Sequence, residues 1–92
     1  MTRGPYAIAW APSAQRDVTR LPEKVATAVV EFCYGSLADN PQRVGHELHL
    51  DLAGQYAARR GDYRLIYRIE HQSRRVTILA VAHRADVYRP HT

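Results

Sequence analysis

Ala58-Arg59-Arg60-Gly61-Asp62-Tyr63-Arg64-Leu65-Ile66-Tyr67-Arg68-Ile69 is the stretch that decides the fold. Gly61-Asp62 is a two-residue turn signal, and the aromatic and branched residues after it have the composition of a strand. A turn centred there pairs Arg60 with Tyr63 and, one step out, Arg59 with Arg64. Cross-strand partners share a face, and like charges set directly opposite are destabilising. Two facing arginines with no acid nearby are explained most simply by an anion held between them. The rest of the chain reads as support for that hairpin.

Downstream, Tyr63 to Glu70 forms a strand, and His71-Gln72-Ser73-Arg74 turns the chain into another, Arg75 to His83. In that last strand Val76, Ile78, Leu79 and Val81 are apolar on both faces, which places it inside a sheet. Arg84 to Tyr88 is a short turn or helix, and Pro90 closes the chain. Upstream, Gly54 precedes a strand over Tyr56 to Arg60. Residues 41–55 are the least regular part, although Leu48, Leu50 and Leu52 alternate as in a short extended piece. A helix starts at Pro22-Glu23, where proline and an acid both suit a first turn. Val25, Val29, Phe32 and Ser36 mark its apolar face, Ala28, Cys33 and Leu37 widen it, and Asp39-Asn40-Pro41 ends it. A shorter helix precedes it, entered at Pro12-Ser13 with the stripe Ala14, Val18 and Leu21. Its Gln15, Arg16, Asp17 and Arg20 are expected in water. Tyr6 to Trp10 is the first strand.

The order β-α-α-β-β-β is α+β: a helical hairpin packed on one face of a small, mainly antiparallel four-stranded sheet, with the other face open. The last three strands form an antiparallel meander, because their connections are too short for crossovers. The first strand reaches the sheet edge only by the long route through both helices.

Ninety-two residues make one domain with a small core. Cys33 is the single cysteine, which excludes an internal disulfide; on its helical stripe it reads as a small buried hydrophobe rather than a nucleophile. No apolar run approaches the roughly 18 residues of a membrane span, and Met1 to Pro5 leads into no signal-peptide core, so the cytoplasm is the expected compartment. Residues 1–55 hold five basic and six acidic side chains, whereas 56–92 hold eight and three, giving −1 and +5. Twelve of the thirteen basic residues are arginine, which suits bidentate contact with phosphate. Codon bias accounts for arginine over lysine but not for the asymmetry, and an anionic partner, nucleic acid above all, accounts for that. His46, His49 and Asp51 have only a loose metal-like spacing, and no metal or other cofactor is expected.

The segment from Tyr56 through Arg59-Arg60-Gly61-Asp62-Tyr63-Arg64-Leu65-Ile66-Tyr67, with Ala82-His83-Arg84 and Tyr88, resembles the RelE/ParE toxin superfamily of bacterial toxin–antitoxin modules. Ala14 through Leu21-Pro22 resembles that family's first helix and turn, so the likeness spans about residues 6–89. It implies one of two activities. RelE-like members are ribonucleases that cut messenger RNA in the ribosomal decoding site, whereas ParE-like members inhibit DNA gyrase without catalysis. Carried over by position, the ribonuclease branch places a basic residue of the second strand at Arg59 and an arginine of the third at Arg64. It places another after the fourth strand at Arg84, and a C-terminal tyrosine at Tyr88. One departure is visible: RelE-type members often carry two basic residues two apart on the second strand, and position 57 here is Ala57. The resemblance also implies a RelB-like antitoxin, the ribosome and messenger RNA as partners, and operator DNA reached only through the antitoxin. A retired toxin that merely binds antitoxin and DNA is the third possibility.

Elementary chemistry points the same way. Metal-free RNA cleavage needs a base for the 2′-hydroxyl, charge stabilisation at the pentavalent phosphorus, and help for the leaving 5′-oxygen. Arginines supply the second at any pH. Tyr88 serves as base only if neighbouring cations lower its pKa from about 10, and His83 is the substitute, histidine being the residue type best suited to move a proton at neutral pH. The choice of base stays open. Tyr63 and Tyr67, sharing a strand face with Leu65 and Ile69, read as core, and Arg74 and Arg75 as turn-side charges within reach of phosphate.

Overall fold

The Gly61-Asp62 turn forms, with Arg59 opposite Arg64 and Arg60 opposite Tyr63. Gly61 takes φ +61°, a left-handed conformation that costs glycine nothing sterically. The computed structural model describes residues 5–48 and 54–87. Along the chain run β1 (Ala7–Trp10), α1 (Pro12–Thr19), α2 (Glu23–Phe32), α3 (Pro41–Val44), β2 (Gly45–Glu47), β3 (Gln55–Arg60), β4 (Tyr63–Glu70), β5 (Arg75–His83) and α4 (Arg84–Val87). The sheet has five strands in the order β1-β5-β4-β3-β2, one more than the four expected. The class is α+β, as the sequence pattern requires.

The additional strand is β2, which pairs antiparallel with β3 through His46–Ala57 and Glu47–Tyr56. The extended piece therefore begins ahead of the Leu48-Leu50-Leu52 alternation. Leu48 only continues the ladder, donating its N–H to the Gln55 carbonyl at 2.8 Å. Leu50 and Leu52 lie outside the described residues. Gly45 is needed for close approach: a Cβ there would come within 2.6 Å of the Ala57 carbonyl oxygen and closer still to the Tyr67 hydroxyl.

The core lies between the helices and one sheet face. Ala14 of α1 and Val29 of α2 meet Ala58, Leu65, Tyr67, Val76, Ile78 and Val81 of the sheet, with Cys33 and Leu37 completing the cluster. Beyond Phe32 the helix widens into a π turn over Cys33–Leu37. The extra residue in that turn rotates the apolar stripe, so Leu37 and Ala38 are buried while Ser36, expected on the inner face, is exposed. Tyr67 is fully buried and donates its hydroxyl proton to the Pro41 carbonyl at 2.6 Å, while its ring stacks on Tyr56 at 5.7 Å. Burial, and then Tyr56, hold its phenol above the ordinary tyrosine range.

β1 runs parallel to β5, from Ala7–Arg75 to Trp10–Ile78. The last rung is the Ala11 N–H on the Ile78 carbonyl at 2.9 Å. There the chain turns into α1, and the outer edge of β5 loses its strand partner. Two side chains of α1 replace it. The Ser13 hydroxyl donates to the Leu79 carbonyl at 2.6 Å, and the Val81 N–H donates to Asp17 Oδ2 at 2.9 Å. Asp17, expected in water, is therefore half-buried against the sheet. Opposite, β5 is bulged: Ile66 pairs with Ala80 but Tyr67 with Ile78, leaving Leu79 as the extra residue.

Candidate active site

Strand register brings the first two arginines together. Arg59 faces Arg64, which in turn faces Ala82 on β5, and these positions alternate with the core residues Ala58, Leu65 and Val81. They therefore occupy the sheet face turned away from α1 and α2. Arg84 joins them by a different route. Its N–H donates to the Asp62 carbonyl at 2.8 Å, which ties the start of α4 to the hairpin turn.

Arg59, Arg64, Arg84 and Ala85 line one cavity of about 340 Å³. Among the described residues its lining holds three guanidinium groups and no carboxylate. Arg59 and Arg84 are exposed and Arg64 is half-buried, so the like charges are tolerated in water while still summing to a positive field over the cavity. Such a concavity is a ready site for a polyanion, and planar forks suit the equatorial oxygens of a phosphorane. Ala85 was not foreseen; it has no chemistry of its own and enters because α4 begins at Arg84.

His83 is placed elsewhere. It pairs with Tyr63, its ring meets the Tyr63 ring edge-on at 5.2 Å, and its Nδ1 accepts the Ala85 N–H at 3.2 Å. Alternation puts it on the helix side of the sheet, while Arg59 and Arg64 are on the other. The bulge decides this: an unbroken ladder counted from Glu70–Arg75 would set Arg64 against Val81 and put His83 on the arginine face. Tyr88 lies outside the described residues, as do His49 and Asp51. Cys33 is fully buried, and burial pushes its thiol up to about 12, the state of an inert core residue. Arg60 leaves the cluster and, with Lys24, edges a separate cavity of about 280 Å³ over Val25 and Ala28.

The sequence pattern described as the ParE toxin of type II toxin–antitoxin systems, parDE, matches residues 8–88. The chain belongs to the ParE toxin family. Two relatives from Mycobacterium tuberculosis (strain ATCC 25618 / H37Rv) are each 49% identical to this family member over 85 residues, 92% of its length. They are Toxin RelG, covered over 98% of its length, and Toxin RelE, covered over 88%. The crystal structure of the toxin–antitoxin complex RelBE2 from the same species contains a chain that superposes with a TM-score of 0.85 at 49% identity, covering 89% of this chain and 94% of that one. The ParE-family likeness thus extends from the hairpin to the whole described fold. No helix among the described residues is long and apolar enough to cross a membrane.

Proposed function

We propose that this toxin-family domain is a metal-independent endoribonuclease that cuts messenger RNA presented by the ribosome. The observation that carries the reading is the convergence of Arg59, Arg64 and Arg84 on one cavity without a carboxylate in its described lining. The 2′-oxygen attacks the adjacent phosphorus, and the P–O5′ bond breaks. The products are a 2′,3′-cyclic phosphate and a 5′-hydroxyl. Arg64, central in the register between Arg59 and Ala82, meets the phosphate as charge builds on it, with Arg59 and Arg84 on either side. Tyr88 takes the 2′-hydroxyl proton, since His83 stands on the opposite sheet face from Arg59 and Arg64, and water supplies the proton that makes the leaving oxygen a 5′-hydroxyl. The domain needs the ribosome because three arginines fix a phosphate but do not by themselves align an RNA strand for in-line attack.

Relatives named RelE and RelG at 49% identity support this reading over gyrase inhibition. The RelBE2 complex supports a cognate RelB-like antitoxin, and a toxin held in check in the cytoplasm requires one. The antitoxin is expected to carry an acidic, partly disordered segment that wraps the +5 half of the domain. Binding that is unchanged from low salt to about 0.5 M would count against electrostatic docking.

The test is Arg64→Ala expressed without antitoxin, with messenger RNA ends mapped on ribosomes. Loss of a transition-state contact should cost about 10²–10³ in rate, while the fold, checked by circular dichroism, persists. Arg64→Lys should rescue only part, because the charge returns without the fork. A folded alanine variant that still produces the same ends would refute the site. Wild-type expression that leaves messages intact and causes DNA damage would favour gyrase.

A further inference from the structure

The sheet face that carries the arginine cluster extends well beyond it. Register puts Arg59, Arg64 and Arg68 on that face, with Thr77, Ala80 and Ala82 of β5 beside them. Arg68 is exposed and lies four residues beyond Arg64 on β4, about 13 Å along the strand. Strand side chains stand roughly perpendicular to their sheet, so the two guanidinium groups address points about that far apart. A single phosphate does not span that separation.

The line of cations ends there. Arg75, further along the same face, is paired with Glu70 at 3.0 Å. The hydrogen bond from Arg75 holds the Glu70 carboxyl below its ordinary range, with Arg68 the last and smallest contributor. Small side chains pave the surface beside β4, and Tyr56, Tyr63 and Tyr67 all fall on the opposite face. Ile66, between Arg64 and Arg68 and flanked by Ala57 and Ala80, is the one larger apolar side chain among the described strand residues of this face, too little by itself to anchor a protein segment. A polyanion lying flat on it needs only the cations.

We propose that Arg68 is a second phosphate subsite, so that a single-stranded RNA lies along β4 with one phosphate in the Arg59–Arg64–Arg84 cavity and another at Arg68. The inference rests on the ribonuclease reading for the identity of the polymer. Among the described strand residues the one ring that register puts on this face is the His46 imidazole, out on β2 beyond Ala57, so contact along β4 itself is to the backbone and tolerates any sequence. Arg68 thus sets the direction of the strand across the sheet.

The experiment measures binding of a single-stranded RNA of about nine nucleotides to the free toxin across about 0.05–1 M salt, by fluorescence anisotropy. Each phosphate contact to a single strand contributes about 0.7 to the slope of log affinity against log salt. Arg68→Gln should reduce that slope by about 0.7, equivalent to about an eightfold loss at 0.05 M relative to 1 M. Arg68→Lys should keep the slope, and binding of a dinucleotide, followed by NMR, should not respond to Arg68→Gln. An unchanged slope with the longer RNA overturns the subsite. So does an equal loss with the dinucleotide, which would mean a general field effect. Weakened antitoxin binding with unchanged RNA binding overturns it too, assigning Arg68 to the protein partner. If wild type leaves ribosome-bound messages intact and yet the slope falls, the ribonuclease reading fails and the RNA track stands.

Discussion

Replacing Asp17 with alanine removes the acceptor for the Val81 N–H, a 2.9 Å contact on a residue that is 4% exposed. No strand flanks β5 at that point, so no backbone carbonyl takes over. A hydrogen bond to a charged group contributes about 1.5–3 kcal/mol net, and a buried donor left alone costs about 1–3 kcal/mol. The two figures describe largely the same loss, so about 2–3 kcal/mol is expected rather than their sum. For a domain of this size that lowers Tm by roughly 8–24 °C. Asp17→Asn keeps a neutral acceptor oxygen and should cost about half as much. Urea titration followed through Trp10, the single tryptophan, provides the measurement. An alanine variant within about 0.5 kcal/mol of wild type, or an asparagine variant as costly as alanine, would refute the idea that α1 stands in for a missing strand. Because β5 leads directly into Arg84, folded Asp17→Ala protein should also cleave less.

Gly45→Ala should destabilise by about 1–3 kcal/mol through overpacking against Ala57 and Tyr67. Tyr67→Phe alone should cost about 1–3 kcal/mol, since it leaves the buried Pro41 carbonyl without its donor. The double variant should cost less than the sum by at least about 0.5 kcal/mol, because the hydroxyl that Cβ would strike is gone; strict additivity in a double-mutant cycle would show that the clash lies elsewhere. Stability should fall above pH 9, the unperturbed thiol value. There the unfolded thiol gives up its proton while the folded one, raised to about 12, keeps it. The slope approaches about 1.4 kcal/mol per pH unit, and Cys33→Ala should flatten it between pH 9 and about 10, before the buried Tyr67 phenol adds its own share. An alanine variant with the same alkaline slope would show that Cys33 is not the group responsible. His83→Phe should keep the edge-on contact with Tyr63 but lose the acceptor for Ala85; if cleavage vanishes while Arg84 stays tied to Asp62, His83 is the base after all.

The hairpin was legible because Gly61-Asp62 leaves one register for its two strands, and from that register the Arg59–Arg64 pair follows. Strand limits at Tyr63, Glu70, Arg75 and His83 were legible too, since turn residues bracket them. β2 was not, because Gly45-His46-Glu47 is too short to show alternation and is held by the free edge of β3 rather than by its own composition. Nothing local marks Asp17 as different from Arg16 or Arg20; its partner is far along the chain and becomes reachable only when α1 lies on β5. The face of His83 was equally hidden, because a single bulged residue at Leu79 exchanges the two faces of β5 beyond it. Ser36 fails for a related reason, the π turn having shifted the helical phase.

The pairing of Ala7 with Arg75 carries a consequence for when this domain comes into being. Its first strand is docked on its last, so the five-stranded sheet cannot be completed until β5 has been made, and such long-range pairing is slow to form. Val76, Ile78 and Val81 also arrive with that final strand, and they supply three of the ten residues in the core cluster. Arg84 comes later still. The β3–β4 hairpin can pair Arg59 with Arg64 on its own, but Arg84 can join them only after β5 has been made. The complete three-arginine cluster therefore appears only once β5 has docked between β1 and β4 and carried Arg84 to the hairpin turn.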